Sequence, residues 1–200
     1  TNMNTSNPYD GARRAGTVGL PLPDVELKVC DPDTGKTLPE GEIGVIEVRG
    51  PNVFQGYWQM PEKTAAELRD DGFFITGDLG LIDDQGYVQI VGRGKDLIIS
   101  GGYNIYPKEV ELALDDQPGV LESAVIGVPH GDLGEAPLGV LVRAPAQEPD
   151  IAAISAALSE TLARFKCPRK LVVVDALPRN TMGKVQKNVL RDEYAKAFQP

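Results

Sequence analysis

Cysteine and histidine are scarce in this sequence of 200 residues, and long apolar runs are missing from it. The two cysteines, Cys30 and Cys167, stand far apart, match no metal-ligand spacing and cannot build a disulfide framework. We therefore expect a reducing compartment, the cytoplasm. No apolar run approaches the length of a membrane span and no signal peptide opens the chain, so no membrane partner is expected.

Aromatic residues make up only 6% of the chain, and the formal net charge is −9. Both features argue against nucleic acid as a partner, because nucleic-acid-binding surfaces are basic and often interleave aromatic residues for base stacking. The charge is unevenly distributed: residues 96–163 hold two basic and eleven acidic residues, whereas residues 164–200 hold nine basic and three acidic ones. This basic end is either a solvated face or the kind of surface that binds a polyphosphate.

The hydrophobic pattern changes near residue 95. In residues 23–94, short apolar runs such as "VELKVC" and "IGVIEVRG" alternate with turn signals, and Pro61 opens one short helix, which predicts an antiparallel β meander or a distorted barrel. Beyond this point the patterns follow the order helix, strand, strand, helix, strand, helix, which predicts a small α+β module. We therefore predict an α+β fold with two domains, residues 1–94 and residues 95–200.

Two details of the second domain can be compared directly with a structure. Asp150 is expected to cap a helix whose apolar stripe consists of Ile151, Ile154, Leu158, Leu162 and Phe165. The last helix is expected to cover residues 186–198. The stripe is the pattern of an ordinary core-facing helix.

Three stretches contain candidate functional residues. "FFITGDLG" places Asp78 after a glycine at a strand junction, where its carboxylate could accept two ribose hydroxyls; an aspartate that only binds turn amides is the alternative. "VGRGKDLIISGGYNIYPKEVE" surrounds the predicted domain boundary and suits either a hinge with charged residues or a plain linker. "LPRNTMGKVQK" holds Lys184 on a loop, which is either a phosphate-seeking lysine or an ordinary surface residue.

The Gly-Lys pair of the third stretch does not belong to a phosphate-binding P-loop. That pattern requires Ser or Thr after the lysine, and Val185 follows Lys184 here. If Lys184 serves a phosphate, it does so without the usual loop and helix N-terminus.

The order and spacing of the three stretches resemble the acyl-adenylate-forming superfamily, which includes acyl-CoA synthetases, peptide-synthetase adenylation domains and luciferases. The resemblance covers essentially the whole chain. "YPKEVE" is similar to the acyl-CoA synthetases, and the opening "TNMNTSNPYDGARRAGTVGLPLPDVELKV" is most similar to the malonate-CoA ligases among them. The resemblance implies a C-terminal fragment: the β-rich end of a large N-terminal domain followed by a small lid domain, without activity by itself.

The resemblance implies a reaction in which a carboxylate, malonate in this case, attacks the α-phosphate of ATP and the thiol of CoA then displaces AMP from the acyl-adenylate. Asp78 would bind the ribose hydroxyls, and Arg93 would contact the ribose or a phosphate. Lys95 would be the hinge of the lid domain. Lys184 would bridge the carboxylate and the phosphate during adenylation, where a positioned cation offsets the developing charge.

Other positions are assigned by the same resemblance. Gly101 and Gly102 would line the tunnel for the pantetheine arm of CoA. Lys166 and Arg169 would contact its phosphates, or they are solvated charges at a helix end. Met3 would touch the acyl group. The phosphate loop and the ligands of Mg²⁺ would precede Thr1, so no metal ligand is assigned within the chain.

Five further residues need a comment. Lys187 stands where the family often has arginine. The lysine retains the positive charge, but whether it makes the contact of that arginine stays open. Arg13 and Arg14 could pair with a distal carboxylate of the substrate, although they stand in a polar loop. His130, the only histidine, has no Ser or Cys partner in view and is interpreted as a surface loop residue. Trp58 is expected to be structural, packed within the fold.

Three other functions stay open at this stage. The chain could come from another short-chain or aryl acyl-CoA synthetase. It could come from an adenylation domain that loads a tethered carrier. It could also be a non-catalytic module whose basic end binds an acidic protein.

Overall fold

The computed structural model describes residues 3–145 and 147–199. The chain divides into two compact units, a first unit of Thr1–Lys95 and a second unit of Asp96–Pro200. The described residues form eleven strands and four α-helices, which confirms the predicted mixture of helix and sheet. Within these residues, no helix is both long enough and apolar enough to cross a membrane.

The first unit is built around an antiparallel meander. Its elements are β1 (Thr5–Ser6), β2 (Leu20–Pro21), β3 (Glu26–Cys30), β4 (Gly44–Arg49), α1 (Pro61–Glu67), β5 (Phe74–Ile82) and β6 (Val88–Arg93). The main sheet has the strand order β3-β4-β5-β6. Within residues 3–95 this sheet is open, as in the predicted meander, and does not close into the distorted barrel that was the alternative. Its buried core consists of Val29, Ile46, Val48 and Val88.

The second unit is a five-stranded sheet with helices packed against it. After a 3₁₀ turn at Gly94–Asp96, its elements are β7 (Ile98–Ser100), β8 (Tyr103–Ile105), α2 (Pro107–Asp115), β9 (Val120–His130), β10 (Gly134–Arg143), α3 (Ile151–Thr161), β11 (Lys170–Val174) and α4 (Lys187–Glu193). β10 pairs antiparallel with β9 and parallel with β11. The hairpin of β7 and β8 joins this sheet through the pair Gly134 and Ser100.

The sheet of the second unit buries both of its faces. Leu138, Val140 and Val142 of β10 lie in a core layer that Leu190 of α4 completes. Leu141, one strand position out of phase, lies in a second layer with residues of α2 and α3. This two-sided burial holds β10 between two core layers and thereby positions the loops at its ends.

The helix predictions are confirmed in part. The carboxylate of Asp150 accepts hydrogen bonds from the N–H groups of Ala152 and Ala153 at 3.0 and 3.1 Å, so it caps α3 as predicted. The helix ends at Thr161, because Leu162 adopts an extended conformation with φ −111° and ψ 149°. The predicted stripe therefore extended too far: Leu162 and Phe165 lie beyond the helix. The last helix covers Lys187–Glu193 and is shorter than expected.

Candidate functional site

The structure brings Asp78 and Arg93 together on neighbouring strands. They are register partners in β5 and β6, and Arg93 Nε lies 2.8 Å from Asp78 Oδ1. Gly77, with φ +73°, precedes the aspartate, and the N–H of Asp78 donates to Thr76 Oγ1 at 3.0 Å. Both side chains keep solvent access, 24% for Asp78 and 51% for Arg93. The two residues predicted to bind a nucleotide thus form one partly exposed ion pair.

Lys95 lies in the 3₁₀ turn that leads from β6 into the second unit. Its side chain is exposed. The next residue, Asp96, forms an ion pair of 2.7 Å with Arg191 of α4. The chain is therefore anchored to the second unit immediately after Lys95.

Gly101 and Gly102 form the two-residue turn between β7 and β8. Their φ angles are +57° and +82°, the left-handed values that a type I′ hairpin turn requires and that glycine adopts without strain. A Cβ atom at Gly102 would meet no atom within 4 Å, so this position faces open space.

A cavity of about 400 Å³ lies beside this turn. Gly101, Arg164 and Arg169 line it, together with Tyr103 and Phe165, whose rings stack with centroids 4.7 Å apart. The cavity combines two cations, an aromatic pair and a glycine turn. Such a combination suits a phosphorylated ligand with an aromatic ring and a narrow apolar arm.

Lys166 and Arg164, two residues apart, occupy different environments. The ammonium of Lys166 lies 2.6 and 2.8 Å from the two carboxylate oxygens of Glu109, and Lys166 is not among the residues that line the cavity. Arg164 does line it and was not identified from the sequence. The only indication for Arg164 in the sequence was that it belongs to the basic end of the chain. The direction of its side chain depends on the residue at which α3 ends, and the sequence pattern did not show that residue.

Lys184 lies on a tight turn with a fixed backbone. The Oδ1 of Asn180 accepts hydrogen bonds from the N–H groups of Met182 and Lys184 at 3.0 and 2.9 Å, and Gly183 adopts φ +79°. The N–H of Asn180 also donates to the carbonyl of Lys184 at 2.9 Å. The side chain of Lys184 is exposed, and its ammonium has no hydrogen bond or ion pair within residues 3–145 and 147–199. A charge is thus held out on a rigid turn.

Lys187, by contrast, is used inside the second unit. Its ammonium lies 2.6 Å from Glu111 Oε1, which also accepts the N–H of Val125 at 2.9 Å. The side chains of Lys187 and Glu111 are only 17% and 9% exposed. The charge that replaces the family's usual arginine is therefore directed to a carboxylate of α2.

The basic end of the chain is partly neutralised by the acidic segment before it. Four of its nine cations form ion pairs with acidic residues of residues 96–163: Lys166 with Glu109, Arg179 with Glu122, Lys187 with Glu111, and Arg191 with Asp96. Part of the asymmetry seen in the sequence is therefore internal to the second unit. It leaves Arg164, Arg169 and Lys184 among the basic residues directed elsewhere.

Of the residues that were candidates for contacting the acyl substrate, Met3 is exposed and Arg14 is already bound within the first unit. Met3 is 66% exposed, and its carbonyl accepts a hydrogen bond from Asn52. Arg14 forms an ion pair of 3.1 Å with Asp83, and its guanidinium lies 4.2 Å from the centroid of the Tyr87 ring. Arg14 is therefore held within the first unit and is a poor partner for a substrate carboxylate.

Two residues expected to be structural or peripheral are placed differently from the prediction. Trp58, expected to pack within the fold, is 86% exposed, because it lies in a surface turn that precedes α1. His130 ends β9 rather than lying in a loop, and its Nδ1 accepts the N–H of Asp132 at 3.2 Å. The described residues also include no group of three or more His, Cys, Asp or Glu side chains that could hold a metal ion.

Two family models match the chain. The model of the AMP-binding enzyme family matches residues 1–58, and that of the AMP-binding enzyme C-terminal domain matches residues 109–184. The putative acyl–CoA ligase YdaB of Bacillus subtilis (strain 168) is 42% identical over 191 residues, which cover 96% of this chain and 38% of the relative. The chain thus spans about two fifths of the length of such relatives.

Solved structures agree with this assignment. ATP-bound MatB from Rhodopseudomonas palustris matches with a TM-score of 0.95 and 62% identity, over 100% of this chain and 40% of the MatB chain. Apo MatB from the same organism matches over the same shares with 63% identity and a TM-score of 0.75. From the motifs, the two family models and these relatives, the chain belongs to the AMP-binding enzyme family.

Proposed function

We propose that these residues supply the C-terminal part of an AMP-forming acid–CoA ligase that converts malonate, ATP and CoA to malonyl-CoA, AMP and pyrophosphate. The observation that carries the proposal is the exposed ammonium of Lys184, which has no hydrogen-bond or ion-pair partner in the described part of the chain, on a turn whose backbone is fixed. Relatives named as acyl–CoA ligases support the reaction class. The identity to MatB across the whole chain and the resemblance of residues 1–29 support malonate.

In the first step, an oxygen of the substrate carboxylate forms a bond to the α-phosphorus of ATP, and the bond to pyrophosphate breaks. Two anionic groups must approach each other, so the cation of Lys184 stabilises the transition state more than the separated reactants. Asp78 accepts the ribose hydroxyls. An ionised carboxylate accepts several hydrogen bonds, so Arg93 can orient Asp78 for this role.

In the second step, the sulfur of CoA bonds to the carbonyl carbon of the acyl-adenylate, and the bond to the AMP oxygen breaks. The arm of CoA passes Gly102, where any Cβ would enter the open space beside the turn. Arg164 and Arg169 bind phosphates of CoA in the neighbouring cavity. Lys166 contributes less to CoA binding than the sequence suggested, because Glu109 already neutralises it.

Lys95 is the proposed hinge between these two steps. Because its side chain is exposed, the backbone of Lys95 can change φ and ψ without breaking a packed contact. The ion pair of Asp96 with Arg191 transmits the rotation to α4. Two solved forms of MatB, ATP-bound and apo, give TM-scores of 0.95 and 0.75 against this chain at nearly equal identity, so those forms differ in conformation. A rotation at the position of Lys95 is consistent with such a difference.

The cofactor that the family resemblance implies, Mg²⁺, has no candidate site here. The described residues lack a cluster of carboxylates that could hold it. No step of the proposed reaction is therefore assigned to that ion.

The proposal is tested by separating the two half-reactions in the complete enzyme that contains this chain. Lys184→Ala should lower malonate-dependent adenylation, followed as ATP–pyrophosphate exchange, by about 10²–10³-fold, because a single transition-state cation is removed. Conversion of supplied malonyl-AMP and CoA to thioester should be unchanged. Lys196→Ala, an exposed lysine of the same unit without a partner among the described residues, is the matched control.

Three outcomes would contradict parts of the proposal. Equal loss of both half-reactions would refute the role of Lys184 in adenylation alone. Exchange that depends on acetate, propionate or an aryl acid but not on malonate would retain the mechanism and reject the substrate. Absence of exchange with every acid would reject the enzyme and favour the non-catalytic module.

A further inference from the structure

The turn that carries Lys184 is attached to the second unit at both of its ends. Before the turn, the guanidinium of Arg179 donates from Nη1 to the carbonyl of Gly183 at 2.6 Å, and its Nη2 forms an ion pair with Glu122 of β9. After the turn, Lys187 is held by Glu111 at 2.6 Å. The backbones of Arg179 and Val185 also form a β-bridge across the base of the turn.

These attachments differ in what they constrain. Asn180 closes the turn from within, because its Oδ1 accepts the N–H groups of Met182 and Lys184. Lys187 fixes the start of α4. The side chain of Arg179 links the turn itself, at Gly183, to the sheet, at Glu122. Val185, after the turn, packs against the core layer of β9 and β10. The two bonds of Arg179 therefore help to set the direction in which the residue after Gly183 points.

We infer that Arg179 is a positioning residue for adenylation, acting through Lys184 rather than on the substrate. This inference rests on the proposed function of Lys184. Arg179 and Glu122 are 42% and 34% exposed, so their ion pair contributes little to folding and its loss leaves the fold intact. Its effect lies in geometry, because displacement of a catalytic group by about 1 Å reduces a rate by up to about 10²-fold.

Positioning and direct substrate binding by Arg179 predict different results for its partner. If Arg179 positions the turn, Glu122→Gln weakens the same anchor and lowers adenylation in the same direction as Arg179→Gln. If Arg179 bound a phosphate directly, Glu122→Gln would release the guanidinium and leave adenylation unchanged or faster. If Arg179 positions the turn, the double variant should be no slower than Arg179→Gln alone, because both substitutions remove the same Arg179–Glu122 interaction.

The experiment compares Arg179→Gln, Glu122→Gln and their combination in the complete enzyme, with Lys184→Ala in parallel. Arg179→Gln should lower kcat of malonate-dependent ATP–pyrophosphate exchange by about 10- to 100-fold with little change in KM for ATP, while thioester formation from malonyl-AMP and CoA stays unchanged. The matched control is Arg143→Gln, an exposed arginine ion-paired with Asp175 at 2.6 Å in the same unit.

The outcomes separate this inference from the function on which it rests. Full adenylation by Lys184→Ala would overturn both. Loss of adenylation in Lys184→Ala with full activity in Arg179→Gln would overturn only the positioning role. Equal loss of both half-reactions in Arg179→Gln, or a raised KM for ATP with kcat retained, would also overturn it, because these indicate a purely structural role or a direct contact.

Discussion

Strand β4 of the first unit and strand β10 of the second occupy central positions in their sheets but bury different side chains. On β4, Ile46 and Val48 face an apolar core, while Glu47 on the opposite face is fully buried. Arg69 binds that carboxylate at 2.5 Å, and Lys28 lies 3.4 Å from it. β10 is apolar on both faces and has a core layer on each side.

The difference shows how two sheets of similar size are stabilised in different ways. Apolar burial on both faces of β10 contributes free energy in proportion to area. On β4, much of the attraction between Glu47 and its cations offsets the cost of removing a carboxylate from water. We therefore expect the second unit to be the more stable of the two, and the first to depend on a small number of charged contacts.

The largest expected effect is a core truncation on either face of β10. Leu138→Ala and Leu141→Ala should each lower the free energy of unfolding of the second unit by about 3 kcal/mol, because each leaves a cavity in a fully buried layer. Native-state hydrogen exchange, resolved by mass spectrometry, would report this in β9 and β10 without a change in β3 and β4. An effect of only one of the two substitutions would contradict the two-layer description.

A smaller effect is expected from the charged face of β4. Arg69→Ala leaves the buried carboxylate of Glu47 with Lys28 as its nearest cation, and should destabilise the first unit by about 2 kcal/mol. Exchange in β3, β4 and β5 would measure it. Arg13→Ala, at an exposed arginine, is the control and should leave exchange unchanged. Equal hydrogen exchange in the Arg69→Ala and Arg13→Ala variants would show that the Arg69–Glu47 ion pair does not stabilise the first unit.

The smallest perturbation is chemical labelling of the two cysteines, one in each unit. Burial, and after it the charge of Glu47, raises the pKa of the Cys30 thiol, so the reactive thiolate is suppressed around neutral pH. Cys167 is partly exposed and lines the cavity beside Gly101. Iodoacetamide at pH 7.5 should therefore modify Cys167 well before Cys30. Labelling of both at one rate would indicate that the first unit opens readily.

The fold was predictable where the sequence pattern repeats. Alternation in "VELKVC" predicted β3, and Asp150 predicted the start of α3. The end of α3 was not predictable, because Leu162 and Phe165 continue the helical spacing although the backbone has already become extended. Where a helix stops depends on its surroundings as much as on periodicity.

The motifs of the candidate site could be found in the sequence, but the directions and partners of its side chains could not. The sequence identified Lys184, and it identified Lys187 as a retained charge, but only the coordinates distinguish an exposed ammonium from one bound to Glu111. The same limit applies to Arg164 and Lys166, neighbours of like charge that face a cavity and a carboxylate respectively. Ion-pair partners tens of residues apart leave no local signature in the sequence.

Helix α4 also has a consequence for how the second unit is made in the cell. Leu190 completes a core layer over β9 and β10, and Tyr194 and Phe198 pack beside it. These residues are synthesised after every strand of the sheet. On the ribosome, that apolar face therefore stays open to chaperones and proteases until α4 and the residues after it emerge. The turn of Lys184 directly precedes this helix, so a chain interrupted before Lys187 has neither a closed core nor a positioned lysine.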